Sequence, residues 1–167
     1  MRIRSEEPED VEGIVDVNLA AFPTAAEAHL INALRHEATP FVSIVAEEDG
    51  VVLGHISFSP TTLECSDTLR IMGLGPLAVM PARQRQGIGS ALVRAGLDAC
   101  RQLGAGAVVV VGHPGYYPRF GFLPASRFGL KCLYDVPDEV FMAVELEPGA
   151  LQHKTGTVAY HAAFDAV

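Results

Sequence analysis

Leu77-Ala78-Val79-Met80-Pro81-Ala82-Arg83-Gln84-Arg85-Gln86-Gly87-Ile88-Gly89-Ser90-Ala91-Leu92 is the stretch on which the reading of this chain turns. An apolar strand runs to Pro81, a polar loop follows, and two glycines sit where a long helix begins. That helix, Gln86 to Leu103, puts Ile88, Ala91, Leu92, Ala95 and Ala99 on one stripe, with Arg94, Asp98, Arg101 and Gln102 elsewhere and Gly104 as its stop. Unpaired N–H groups at a helix N-terminus point outward, and the helix dipole favours negative charge there. Gly87 and Gly89 remove the side chains that would keep a diphosphate away, and Arg83 and Arg85 add local positive charge. The segment is therefore predicted to bind an anion.

Outward from it, Leu69 to Val79 reads as a strand interrupted by Gly73, Gly75 and Pro76. Glycine weakens a ladder and proline removes a donor, so a bulge or a splay from the neighbouring strand is expected around Gly75-Pro76. Upstream, Phe41 to Ala46 and Val51 to Ser59 are apolar, β-branched runs joined by Glu48-Asp49-Gly50, a hairpin signal. Met1 to Ser5 reads as a short strand, Pro8 to Phe22 as a helix opened by proline and acids, and Ala25 to His36 as a second helix. Downstream, Ala107 to Val111 has the continuous apolar pattern of a strand buried on both faces. A short helix at Pro114 to Phe120, strand-like structure from Phe122 and a late strand within Glu139 to Leu146 complete an α/β domain on a mixed sheet.

The whole chain sets limits on what that domain does. Its 167 residues, 49% apolar and 19% charged, suit one domain with one sizeable core. A net charge of −8 disfavours nucleic acid and anionic membranes as partners. Cys65, Cys100 and Cys132 are too few and too widely spaced for a disulfide framework or a zinc site, which points to a reducing cytoplasm. No leader-like apolar core or membrane-length apolar run is found.

Which anion the loop binds is narrowed by failures. Leu92 stands where a dinucleotide fingerprint needs its third glycine, and Lys154-Thr155 lacks the glycine that precedes the lysine of an ATP-type loop. What remains is Gln84-x-x-Gly87-x-Gly89 after Leu77-x-Val79-x-Pro81. This resembles motif A of the GCN5-related N-acetyltransferases (GNAT). A second match is Tyr116-Tyr117-Pro118-Arg119-Phe120-Gly121-Phe122, which resembles the family's aromatic segment before a terminal Gly-Phe. Gly54-His55-Ile56, the segment from Gly112 to Phe122 and the C-terminal stretch Gly156 to Phe164 are similar to a bacterial YhbS-like subgroup.

The resemblance implies a single GNAT-type domain over residues 1–167, with its motif-bearing core at 1–146 and an extension at 147–167. It implies a mixed, mostly antiparallel sheet with a splayed central strand pair, flanked by helices. Acetyl-CoA would be the cosubstrate, with no metal. Gln84, Arg85, Gln86, Gly87, Ile88, Gly89 and Ser90 would meet its diphosphate, and Leu77, Ala78 and Val79 would run along its pantetheine arm. Tyr117, five residues before Phe122, would protonate the departing thiolate. The acceptor would be a primary amine attacking directly.

A free alkyl amine, with a pKa of about 10.4, is mostly protonated at neutral pH, so a proton acceptor is expected. Leu69 to Val79 holds no carboxylate, leaving His55, His113 and Glu64 as candidates, or a water chain. That gap keeps open an alternative, a non-catalytic acyl-CoA-binding or sensor module of the same fold. His29 and His36 read as surface residues, the cysteines as small apolar ones, and the acidic run Glu6 to Glu12 as a solvated helix start. The tail from His153 to Val167 is a candidate cover for the acceptor pocket or a contact in a homodimer.

Overall fold

The structure, a computed structural model, describes residues 1–64, 66 and 68–167; Cys65 lies outside the described residues. β1 (Arg2–Ser5) leads through a 3-10 turn at Pro8–Asp10 into α1 (Val11–Ala21), and α2 (Ala26–Glu37) follows. β2 (Val42–Glu48) and β3 (Val51–Pro60) form the predicted hairpin. Asp49 and Gly50 turn it with φ of 52° and 80°, the double positive φ whose twist suits a two-residue connection. Then come β4 (Thr62–Leu63), β5 (Ile71–Val79), α3 (Ile88–Gln102), β6 (Ala107–Val111), β7 (Leu123–Pro124), β8 (Leu130–Cys132), β9 (Phe141–Glu145) and β10 (Gly156–Ala159).

The large sheet runs β1-β2-β3-β5-β6-β9-β7, antiparallel throughout except for the parallel pair β5–β6. Alternation along each strand divides its side chains between two faces. On one face α3 buries Ile88, Leu92, Val93 and Leu97 against Ile44, Ile56, Phe58, Met72 and Val108. Two separate layers cover the other face. Ile14 and Val17 of α1 and Ile31 of α2 pack on Val45, Val52 and Ala78. The three-stranded sheet β4-β10-β8 sets Leu63, Leu130 and Val158 against Ala107, Val109, Phe141 and Ala143.

The anticipated splay falls between these layers. β5 and β6 pair only at Ile71–Ala107, Met72–Val108 and Gly73–Val109, then diverge. On its other edge β5 bulges: Ile56 pairs with Leu77 and Phe58 with Leu74, so Gly75 and Pro76 together oppose Ser57. Gly75 sits at φ 141°, a conformation closed to other residues, and the Ser57 hydroxyl donates to its carbonyl at 3.0 Å. The divergence also explains a departure from expectation. Ala107 to Val110 are buried as predicted, but Val111 is 39% exposed because it borders the opening.

The small sheet is the larger surprise. Residues 147–167 are no loose extension: β10 pairs with both β4 and β8, and the following turn sets Ala163 and Phe164 against Leu30, Leu34 and Ala38.

Candidate active site

The loop after β5 makes a 3-10 turn at Pro81–Arg83, passes Arg85 at φ 63°, and enters α3 through Gly87 at φ 88°. The first bond of α3 runs from Ala91 N–H to the Gly87 carbonyl at 3.0 Å, so the amides of Ile88, Gly89 and Ser90 have no acceptor within the helix. No side chain caps this end. An uncapped helix start with three free donors is an anion site by construction.

The side chains around it divide their roles differently from the sequence reading. Gln84 Nε2 donates to the Val79 carbonyl at 3.0 Å, which ties the loop back to the end of β5. Arg83 turns away to Glu48, 2.8 Å distant, so its charge is spent on the hairpin tip. Gln86 accepts from Arg83 and does not line the cleft. Arg85 lines the cleft and forms no ion pair with a described residue. Ile88 buries its side chain in the core, leaving only its N–H to face a ligand.

Along β5 the main chain alternates in direction. Met80 N–H donates to the Leu53 carbonyl, so Ala78, two residues earlier, also turns its main chain toward β3, where it pairs with His55. Its side chain is buried under α1. Ala78 therefore contributes neither kind of contact to the cleft, whereas Leu77 and Val79 line it with main-chain edges that no β6 partner takes up.

The cleft, about 570 Å³, is closed on its far side by two residues the motif reading had not assigned to it. Tyr116 shares a hydrogen bond with Ser90 between hydroxyls 3.1 Å apart, and the Arg119 guanidinium stacks 4.5 Å from the Tyr116 ring centre. A Cβ on Gly89 would stand 3.1 Å from the Tyr116 hydroxyl, so this glycine also makes room for the tyrosine.

Leu77 and Tyr116 are shared with a second cavity of about 470 Å³, set in the splay and lined by Leu74, Gly75, Pro76, Val110 and Tyr117. Tyr117 is buried there, edge-on to Tyr116 at 5.1 Å and to Phe122 at 5.6 Å. Gly112 permits this seat, since a Cβ on it would lie 2.4 Å from the Tyr117 ring. Burial, with a smaller contribution from Tyr116, pushes the Tyr117 phenol up to about 12, so it stays protonated at neutral pH.

A bulged, splayed strand pair joined through a loop with free amides to α3 is thus in place. A sequence model described as the acetyltransferase (GNAT) family matches residues 7–122. The chain belongs to that family. The uncharacterized N-acetyltransferase YhbS of Escherichia coli K12 is 37% identical over 166 residues, covering 99% of each chain. The crystal structure of E. coli YhbS in complex with CoA superposes with a TM-score of 0.92 at 37% identity, covering 98% of this chain and 91% of that one. A Brucella melitensis GNAT family acetyltransferase in complex with acetyl-CoA gives 0.81 at 40% identity, covering 98% and 97%.

Of the three candidate proton acceptors the fold brings one to the opening. His113 lines the second cavity and is exposed. Glu64 accepts from the Thr157 amide at 2.9 Å in the small sheet and lines neither cavity. His55 is fully buried beneath the helical layer, its Nε2 2.7 Å from the Ser43 hydroxyl, and reaches neither cavity. The acidic run is not merely solvated: Glu6 pairs with Arg35 and Asp10 with Arg4, each at 2.6 Å. Among the described residues no group of three or more His, Cys, Asp and Glu could hold a metal ion, and no helix is long and apolar enough to cross a membrane. Besides Tyr116 and Arg119, the sequence reading missed Glu27 of α2, which lines the second cavity. In sequence it is one more acid in a helical first turn, with nothing local to mark it.

Proposed function

We propose that this chain transfers the acetyl group of acetyl-CoA to a primary amine by direct attack, without a covalent enzyme intermediate. The observation that carries the reading is that the two cavities adjoin, sharing Leu77 and Tyr116 in their walls, with the anion loop lining one and the buried Tyr117 the other. The diphosphate would take the free amides of Ile88, Gly89 and Ser90 beside Arg85 and Arg119, while the pantetheine arm follows Leu77 and Val79. That CoA and acetyl-CoA occupy the two related crystal structures supports the same ligand here.

The thioester would then lie in the splay, its carbonyl polarised by a β5 main-chain N–H. The amine's lone pair attacks the carbonyl carbon, the C–N bond forms, and the C–S bond breaks. Tyr117 gives its proton to the leaving sulfur, and the proton shed by the new amide nitrogen restores the phenol. A phenol near 12 is a weak acid toward a thiolate whose thiol titrates at about 8.5 in water. However, the thiolate forms in the same desolvated pocket, which raises its proton affinity as well. Free thiols at Cys100 and Cys132 suit a reducing cytoplasm as the setting.

Calorimetry with acetyl-CoA and thiol release with an amine panel test the reading. Tyr117→Phe should lower turnover about 10²-fold with acetyl-CoA affinity retained. Unchanged turnover removes Tyr117 from the chemistry; tight acetyl-CoA binding with no thiol released to any amine favours the sensor alternative.

A further inference from the structure

Two residues that line the second cavity each carry a buried polar atom that the fold leaves unsatisfied. Glu27 Oε1 is buried without a hydrogen-bond partner, and so is the Tyr160 hydroxyl, which lies near the Val111 N–H but closes no bond of good geometry. Both residues line the cavity. Buried acceptors without donors are costly, most of all on a carboxylate, so such a pair marks a place where a donor belongs. Around them the wall is aromatic and aliphatic: Phe22, Leu30, Tyr134 and Phe164 contribute to it.

The charges around the cavity are sparse. Glu27 is the only carboxylate side chain among its described lining residues, and no lysine or arginine lines it. His113 stands exposed at its edge. One carboxylate side chain in an apolar chamber matches one ammonium group on an apolar body. A polyamine or aminoglycoside would bring further cations with no partners, and a free amino acid would bring a carboxylate with no cation to meet it.

We propose that Glu27 anchors the acceptor's amino group in this cavity and thereby selects primary monoamines that carry an apolar, aromatic-sized body. The proposal rests on the acetyltransferase reading and narrows its substrate class. Glu27 first accepts from the ammonium ion. Once that ion has released one proton to water, the neutral amine keeps two N–H groups, one for the Glu27 carboxylate, and its lone pair is free to attack. The C-terminal tail takes part as a wall, through Tyr160 and Phe164, so the acceptor is enclosed between α2 and the tail.

The test is steady-state thiol release from acetyl-CoA by the purified chain with 2-phenylethylamine, spermidine, phenylalanine and kanamycin, with acetyl-CoA affinity measured on the same samples. The expected order puts 2-phenylethylamine at least about tenfold above the other three in kcat/KM. Glu27→Gln should raise the KM for 2-phenylethylamine about 10- to 100-fold, the loss of one buried charge-assisted hydrogen bond, with kcat and acetyl-CoA affinity within about twofold of wild type. Glu27→Asp, which keeps the charge, should lie between; a purely structural role would instead lower the Tm and disturb acetyl-CoA binding alike. Preference for spermidine, kanamycin or phenylalanine, or an unchanged KM in Glu27→Gln, overturns the assignment while leaving the acetyltransferase reading intact. Absence of acetyl-CoA binding by the wild type overturns both.

Discussion

Gln84 shows how a motif residue can serve a ligand without touching it. Its amide bonds to the Val79 carbonyl at 3.0 Å, bridging the end of β5 and the loop that presents the free amides of α3. The loop passes through two positive-φ residues, Arg85 and Gly87, and such backbone holds its shape only when its surroundings fix it. Gln84→Ala removes that tie at an exposed position, where a hydrogen bond contributes about 0.5–1.5 kcal/mol. Acetyl-CoA should accordingly bind about 2- to 10-fold more weakly, with kcat unchanged at saturation. Titration calorimetry reads this directly, and an unaltered Kd would show that the loop keeps its shape without the glutamine. The same residue marks a limit of legibility. The spacing Gln84-x-x-Gly87-x-Gly89 locates an anion loop, because glycine placement and a helix start are local facts. Whether the glutamine's amide faces ligand or strand depends on a side-chain torsion that spacing does not encode.

Elements built from local pattern were readable, and those built from distant pairing were not. The β2–β3 hairpin, α3 and β6 follow from Asp49-Gly50, from a 3.6-residue apolar stripe and from an unbroken apolar run. β4 and β8 have two and three residues, too short for periodicity, and they exist because β10 lies between them. β4 meets β10 from more than half the chain away and β8 is three residues long, so neither strand carries a signal of its own. Tyr116 and Arg119 were visible as an aromatic-rich run, but their place on the far wall of the cleft follows from how that run meets α3. The contact between α3 and β3 makes a prediction at this scale. A Cβ on Gly96 would lie 2.1 Å from Phe58 Cε1 and 2.4 Å from Cζ, and Phe58 is fully buried. Alanine gains about 1 kcal/mol in helix propensity over glycine, whereas overpacking a tight core typically costs about 1–3 kcal/mol. Two ring atoms inside contact distance, on a fully buried side chain, put this site at the costly end. Gly96→Ala should therefore lower stability by about 1–2 kcal/mol net in urea unfolding, and acetyl-CoA binding should weaken as α3 shifts. A gain in stability would mean that Phe58 repacks freely.

Across the whole molecule, a polar cluster joins the N-terminal segment, α2 and the sheet, and it makes stability depend on pH. Ser43 donates its hydroxyl proton to Glu6, so His55 Nε2, 2.7 Å from the same oxygen, must be the donor to Ser43. The imidazole is thus neutral with its proton on Nε2, and its Nδ1 is buried with no partner. Protonation would put a charge and an unsatisfied donor in the core; burial accordingly pushes His55 down to about 4, despite the opposing pull of Glu6. For Glu6, burial alone would raise the carboxyl, but hydrogen bonds from Arg35 and Ser43 outweigh it and hold it below its usual range. Asp10 is lowered chiefly by its hydrogen bond from Arg4. In all three cases the unfolded chain binds more protons than the folded one, so stability falls with acid, in two successive windows that overlap near pH 4. The carboxylates act below about pH 4.5, where their unfolded forms begin to protonate. His55 acts earlier, from about pH 6.5 down to its folded value near 4. Between pH 7.5 and 5.0 that difference amounts to about 2 kcal/mol of lost stability from this one side chain. Urea unfolding at the two pH values should show the loss in the wild type, and His55→Gln, which keeps a donor for Ser43 but cannot titrate, should abolish most of it. An equal loss in the variant would place the acid sensitivity elsewhere. Because Arg35 of this cluster belongs to α2, the helix that carries Glu27, acid should loosen the acceptor wall before it loosens the acetyl-CoA cleft. The KM for the amine should then rise as pH falls through about 4, where His55 takes up its proton in the folded chain, under conditions where acetyl-CoA affinity still holds.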